Sequence, residues 1–208
     1  MKNKSLEKVY AETSIQGQQA AYDAWADDYE RDLCAMGYRI PGMIAAAFAR
    51  FVPVDCGPIL DAGCGGGIQT EALAATGYGP FTGIDLSMRM LAVAKAKGIY
   101  AALKQQTLGE PLDFETNSFG AALTTGTFTP GHAPPKGFDE IQRVIRPGGW
   151  FVIVIRCDDD MLPDYQDRLD LIEQNGGWRH VFSSEPGLGM PYAEPNLFCR
   201  SQVYEVLS

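Results

Sequence analysis

Asp61, Gly63, Gly65 and Gly67 stand two residues apart in the stretch ILDAGCGGG, and a second carboxylate, Asp85, follows in GIDLS. Glycine loses more backbone freedom on folding than any other residue, so four glycines in five positions imply a chain that turns through positive φ or presses against a ligand. The dinucleotide pattern G-x-G-x-x-G does not fit. Counted from Gly63 its last glycine falls on Ile68, and counted from Gly65 it falls on Thr70. The spacing is D-x-G-x-G-x-G instead, and an NAD-type oxidoreductase is a disfavoured rival. Cys64 has no basic neighbour in sequence to lower its pKa and reads as a small packing residue whose backbone matters. His132, in TTGTFTPGHAPP, titrates near neutral pH and suits a general base. The plainer reading is a loop histidine shaping a Pro-rich turn. His180, in WRHVF, reads as structural or exposed.

Other chemistries are poorly supported. The five cysteines (34, 56, 64, 157 and 199) are odd in number, widely spaced and without C-x-x-C, so neither a disulfide framework nor a metal site is expected and a reduced, cytoplasmic protein is. With 17 basic and 26 acidic residues the net charge is −9, and the basic residues are scattered. Such a chain repels phosphate backbones, which argues against nucleic acid and for a small neutral or cationic substrate. No apolar segment backs the early lysines of MKNKSLEKVYAETSIQ, and the run WFVIVI is too short to span a bilayer, so no membrane partner is expected. Oligomeric state is not legible.

The elements that must position these residues alternate. Residues 18–34 have helical periodicity, with Tyr22, Trp25, Tyr29 and Leu33 on one stripe, and a second helix starts at Pro41. GPILD, PFTGID, IYAALKQ, SFGAALTT and WFVIVIR read as strands. Helices are expected at 68–77, in SMRMLAVAKAK with Ser87 as cap, in PKGFDEIQRVI and in DYQDRLDLIEQNGG. WRHVFSSE and LFCRSQVYEVL form a final antiparallel pair across a Gly/Pro loop. The expectation is an α/β fold: a doubly wound, seven-stranded, mostly parallel sheet with an antiparallel C-terminal hairpin. In such sheets ligands bind beyond the strands' carboxyl ends, where the strand order reverses.

The glycine stretch with GIDLS, TLGEPLDFETNSF and RVIRPGGWFVI, in that order, resembles the class I S-adenosylmethionine-dependent methyltransferases. YDAWADDYERDL, GYRIP, TLGEPL and GTFTPGHAPP further resemble the methyltransferase-like group of Williams–Beuren syndrome chromosome region protein 27 and its bacterial relatives. The likeness implies one methyltransferase domain over residues 1–208, with helices 1–52 as a lid and 53–208 as the cofactor-binding core. It implies S-adenosylmethionine as cofactor, S-adenosylhomocysteine as product, and transfer to O, N or S of a small-molecule acceptor by in-line displacement. A non-catalytic S-adenosylmethionine binder is the alternative.

The resemblance also distributes roles. Asp85 would hold the ribose diol, and Gly63, Cys64, Gly65 and Gly67 would pass under the amino-acid end. Asp61 would take the ammonium or hold the turn. Leu86 and Met90 would flank adenine, with Thr107 and Leu108 at its edge; many members carry an acid at the Thr107 position. Tyr22, Trp25 and Tyr29 would cover the sulfonium, against the plainer reading of an aromatic stripe packed on the core. Thr125 would complete the cofactor site. Tyr38, Arg39, Gly126 and Thr127 would line the acceptor pocket, with His132 as its base.

Overall fold

A computed structural model describes residues 3–159 and 161–208. Four helices come first: α1 (Lys4–Ala11), α2 (Ile15–Trp25), α3 (Tyr29–Ala35) and α4 (Ile40–Phe51). Asn3 and Ser14 cap the first two by accepting backbone N–H bonds, and Pro41 sits in the first turn of α4. The alternating part follows as β1 (Ile59–Ala62), α5 (Glu71–Ala75), β2 (Phe81–Asp85), α6 (Met88–Ala96), β3 (Tyr100–Gln105), β4 (Phe119–Thr125), α7 (Gly137–Val144), β5 (Ile145–Arg156) and α8 (Pro163–Gln174). The chain closes with β6 (Trp178–Ser183), β7 (Gly187–Met190) and β8 (Glu194–Val206).

The sheet runs β3-β2-β1-β4-β5-β8-β6, with β7 paired to β8 beside that path. β1 to β5 pair in parallel; β8 runs antiparallel to β5, β6 and β7. The order reverses between β1 and β4, where Asp61 is registered with Gly83 on one side and Leu123 on the other. That places the glycine turn, Asp85 and Thr125 at neighbouring carboxyl ends.

Alternation sends successive strand residues to opposite cores. Ile59, Val152 and Val154 join Trp25, Ile44 and Phe48 on one face, so α1–α4 share a core with the sheet. Leu60, Phe151 and Ile153 join Phe138, Leu169 and Trp178 on the other. β5 is therefore apolar on both faces, as a central strand must be.

Four details differ from the sequence reading. The helix expected over 18–34 is two helices, because Asp28 N–H already bonds to the Trp25 carbonyl in a tight turn. The helix after the glycines is only Glu71–Ala75, the residues before it being spent in turns such as Gly67 N–H to the Cys64 carbonyl. An additional helix, α1, precedes the stripe, and a short strand, β7, lies inside the Gly/Pro loop.

Candidate active site

Beneath the glycine turn lies a buried polar knot. Asp61 is fully buried and accepts from the Tyr100 hydroxyl at 2.6 Å, from the Gln69 amide at 3.1 Å and from the Thr70 hydroxyl. Gln69 also donates to the Cys64 carbonyl at 2.9 Å. Burial pushes the Asp61 pKa up, and these donors pull against it. The N–H groups of Gly63 and Cys64 both reach the Ile84 carbonyl at 2.9 Å, tying the turn to β2.

Above this knot the backbone faces a cavity of about 320 Å3. Gly63 has φ +78°, and a Cβ there would meet the Thr127 Oγ1 at 2.3 Å. Gly65, at φ +51°, is different: a Cβ there would have only the Tyr29 ring within 4 Å, at 3.9 Å. The first glycine is required by packing, whereas the second leaves open a space that a ligand can fill. Asp85 closes this wall. Its carboxylate accepts from Gly65 N–H at 2.9 Å and Ser87 N–H at 2.8 Å. Burial raises its pKa to about 6, against the pull of those two N–H groups.

Ile84, Leu86, Met90 and Leu108 form an apolar slot on the far side of Asp85, with Gln106, Thr107 and Glu110 at its edge. The buried Gln106 Nε2 has no hydrogen-bond partner among the described residues. The roof is Ile15, Gln18 and Tyr22 from α2 and Tyr29 from α3. Thr125, Gly126, Thr127 and His132 form the other end. The Tyr22 hydroxyl lies 2.9 Å from His132 Nε2. Burial lowers the His132 pKa; the Pro130 carbonyl pulls the other way without reaching hydrogen-bonding geometry with the buried Nδ1. A smaller chamber adjoins this end and shares Tyr22, Tyr29, Gly126 and His132 with the first.

Thirteen of the residues singled out from sequence line the large cavity: Tyr22, Tyr29, Gly63, Gly65, Asp85, Leu86, Met90, Thr107, Leu108, Thr125, Gly126, Thr127 and His132. Tyr38 lines the smaller chamber alone. Five others do not line the large cavity. Trp25 turns its indole to Asp32, donating at 2.9 Å, and reaches only the smaller chamber. Asp61 lies off the cavity and accepts from the side chains of Thr70, Tyr100 and Gln69, as a residue that holds the turn would, with side-chain in place of backbone donors. Cys64 is fully buried, and Gly67 faces the Tyr100 ring. Arg39 is exposed on another groove, because its backbone caps α4 and bonds to Gly189 in β7. Sequence reasoning passed over Ile15, Gln18, Gln106, Glu110, Lys136 and Tyr10. Glu110 lay within the TLGEPL segment and was findable; the rest depend on how distant elements meet.

A family model described as a methyltransferase domain matches residues 60–153. The chain belongs to the class I S-adenosylmethionine-dependent methyltransferases. It is similar to human methyltransferase-like protein 27, with 35% identity over 76% of this chain and 66% of that protein. A yeast 18S rRNA (guanine(1575)-N(7))-methyltransferase is 28% identical over 58% of this chain and 46% of its own length. The chain thus spans less than two-thirds of these curated relatives. Among solved structures, a complex of the Haloferax volcanii Trm112 methyltransferase activator with a methyltransferase aligns at TM-score 0.69 and 18% identity, over 90% of this chain and 98% of that one. A Thermotoga maritima S-adenosylmethionine-dependent methyltransferase aligns at 0.66 and 15%, over 91% and 99%. These two likenesses concern the fold.

S-adenosylmethionine is the family's methyl donor. The residues present fit it. The cavity is within the size of small-ligand sites, roughly 300–1,000 Å3. A carboxylate stands beside a backbone bare of side chains at Gly65, and an orphan amide waits at the edge of the apolar slot.

Proposed function

We propose that the protein transfers a methyl group from S-adenosylmethionine to O, N or S of a small-molecule acceptor by in-line displacement. The observation that supports this most is the joining of two spaces at Gly126 and His132, one walled by Asp85 and the glycine turn, the other by aromatic side chains. When bound, S-adenosylmethionine supplies a methyl carbon already activated by its sulfonium. Asp85 accepts from both ribose hydroxyls while its other contacts, to Gly65 and Ser87, fix its plane. Leu86, Met90 and Leu108 flank the adenine, and Gln106 and Thr107 meet its edge. Gly63 and Gly65 present backbone to the amino-acid end, and Thr125 and Thr127 close that side. Tyr22 and Tyr29 exclude water and offer ring faces to the sulfonium, a contact of about 0.5–2 kcal/mol. Helices α1–α3 act as a lid on a single domain, α4 of the expected 1–52 lid packing on the sheet through Ile44 and Phe48, and alignment of the acceptor supplies most of the acceleration. A cytoplasmic setting rests on the odd, unpaired cysteine set.

Calorimetry of the purified chain with S-adenosylmethionine and S-adenosylhomocysteine tests the reading. Saturable heat with both is expected, and Asp85→Ala should weaken binding about tenfold to a hundredfold, the loss of a charge-assisted bond of about 1.5–3 kcal/mol. Absence of heat with either would end it. Tight binding without any methylated product from a metabolite pool would turn the protein into a non-catalytic binder.

A further inference from the structure

The roof of the large cavity holds a buried polar side chain that the protein itself leaves unbonded. Three glutamines are buried among the described residues: Gln18, Gln69 and Gln202. Gln69 donates to Asp61 at 3.1 Å and to the Cys64 carbonyl at 2.9 Å. Gln202 donates to Gln166 at 2.9 Å and accepts from the Tyr204 hydroxyl at 3.1 Å. Gln18 is 7% exposed, and its side chain makes no hydrogen bond to any of the described residues. It lines the large cavity, and its amide atoms are not closed off from that space. In the free chain only water can meet this amide, and a ligand that displaces the water must replace its bonds or lose affinity.

Helices α2 and α3 divide the roof between them. Tyr29, at the start of α3, lies over the glycine turn: a Cβ on Gly65 would stand 3.9 Å from its ring. Gln18 shares a face of α2 with Tyr22, four residues on. It also precedes Trp25, the last residue of α2, by seven positions, about 10 Å along the helix axis. Gln18 thus covers a different stretch of the cavity from Tyr29. The walls left for that stretch are Asp85 and the slot of Leu86, Met90 and Leu108, where the nucleoside belongs.

We propose that Gln18 is the lid's cofactor-binding residue, its carboxamide hydrogen-bonding to the nucleoside half of S-adenosylmethionine. This rests on the methyltransferase reading above. A carboxamide donates through Nε2 and accepts through Oε1, so it suits ribose hydroxyls and purine nitrogens alike, and it adds no second charge beside Asp85. The contact also has a consequence for the lid. Asp23 is bonded to Ser87 and Asp27 to Arg89 with no ligand present, so those contacts cannot tell a loaded site from an empty one. A bond made only to the bound nucleoside can, because a ligand shifts an equilibrium only through contacts that differ between its states.

Gln18→Met keeps the length and helix propensity of the side chain and removes both bonding atoms. Its affinity for S-adenosylhomocysteine is read by calorimetry. Its affinity for 5′-methylthioadenosine, a nucleoside without the amino-acid end, is read by competition, and the free chain is unfolded in urea. Both ligands should bind about threefold to tenfold more weakly than to wild type, the loss of a neutral hydrogen bond. Release of S-adenosylhomocysteine should quicken by a similar factor, while the urea midpoint of the free chain holds or rises. Gln18→Leu gives the same comparison should the first variant misfold. An S-adenosylhomocysteine affinity within about twofold of wild type, or a free chain destabilised by the substitution, would reduce Gln18 to a packing residue. A loss seen with S-adenosylhomocysteine but not with 5′-methylthioadenosine would put the bond at the amino-acid end and overturn the nucleoside assignment. In each of these cases wild type still binds S-adenosylhomocysteine and the methyltransferase reading stands; if wild type does not bind it, both fall.

Discussion

The floor of the site and its cover are built on different principles. In the floor, hydroxyl and amide donors converge on one fully buried carboxylate, Asp61, and the turn above is tied to β2 by paired N–H groups. The bonds of Gln69 and Thr70 to Asp61 are shielded from water, so removing the carboxylate strands their donors. The cover has an apolar underside of Val9, Trp25 and Leu33, but at its edge it is fastened by contacts near the surface. Asp23 takes bonds from the Ser87 hydroxyl and from Arg89 N–H, Asp27 pairs with Arg89 at 2.7 Å and Glu30 with Lys97 at 2.8 Å. The exposed pair of Asp27 with Arg89 is worth about 0.2–1 kcal/mol, while the Ser87 hydroxyl is buried and Lys97 largely so. Under the proposed lid reading, a fixed floor with a cover that opens would hold the cofactor in one geometry and still exchange it.

The largest effect should follow from breaking the floor. Asp61→Ala takes the carboxylate acceptor from the fully buried Thr70 hydroxyl and the half-buried Tyr100 hydroxyl; Gln69 keeps its bond to the Cys64 carbonyl. At about 1–3 kcal/mol per stranded group, less the relief of burying a carboxylate, urea unfolding should show a loss of about 2–4 kcal/mol. A loss below 1 kcal/mol would mean that the floor is no firmer than its cover.

Next comes Asp85, which belongs to the floor but faces the ligand. Its pKa of about 6 lies above that of a free carboxyl, so the folded chain without ligand binds the proton more tightly than the unfolded chain does. This group's contribution to stability is therefore present at low pH and is lost as pH rises through about 6. Cofactor affinity should move the other way, because two ribose hydroxyls need an ionised acceptor. Affinity should fall by a factor approaching ten per pH unit below about 6, read by calorimetry across pH 5 to 7, and Asp85→Asn should bind weakly but with no such slope. A wild-type affinity flat over that range would remove Asp85 from the ribose.

How much of this is legible in the sequence follows the same division. The floor motif is local: Asp61 to Gly67 and Asp85 to Ser87 are short stretches whose spacing reports a strand end and a turn. Strand alternation likewise announces its own faces, which is why β1 to β5 read correctly. The cover is different. Periodicity runs unbroken through 18–34, yet the chain turns at Ala26–Asp28, and the stripe divides: Tyr22 and Tyr29 face the cavity while Trp25 is taken by Asp32. Nothing within that segment says which ring an acid seven residues on will claim. Gln69 and Tyr100 meet Asp61 from 8 and 39 residues away, a relation set by sheet order rather than by any spacing in the chain. β7 escaped because glycine and proline signal a loop whether or not a neighbouring strand accepts it as an edge.

The cover's fastening gives a smaller, kinetic effect. Asp23→Ala removes the acceptor shared by the Ser87 hydroxyl and Arg89 N–H, while Ser87 still caps α6 through Met90 N–H at 3.0 Å. Stability should fall by about 1–2 kcal/mol, because the Ser87 hydroxyl that loses its acceptor is buried. The release rate of S-adenosylhomocysteine, followed by stopped-flow fluorescence of the lid tryptophan and tyrosines, should rise about fivefold. An unchanged release rate would show that α2 is part of the fixed body and no lid.

The smallest effect belongs to neighbours that sequence alone would pair. Tyr38 and Arg39 are adjacent, but the start of α4 sends them apart: the Tyr38 hydroxyl stands 3.7 Å from where a side chain on Gly126 would begin, whereas Arg39 opens to solvent beside Met43 and Phe182. What fixes Arg39 is its backbone N–H to the Gly189 carbonyl at 2.9 Å, and a substitution leaves that bond in place. Arg39→Ala should therefore shift stability by no more than about 0.5 kcal/mol and leave both cofactor affinity and acceptor KM within about twofold of wild type. Tyr38→Phe, one residue earlier, removes a hydroxyl from the chamber wall and should raise acceptor KM severalfold with cofactor affinity unchanged, a neutral hydrogen bond being worth about 0.5–1.5 kcal/mol. If Arg39→Ala raised KM as much as Tyr38→Phe does, the acceptor would have to reach out past α4, and the chamber beside Gly126 and His132 would not be where it binds.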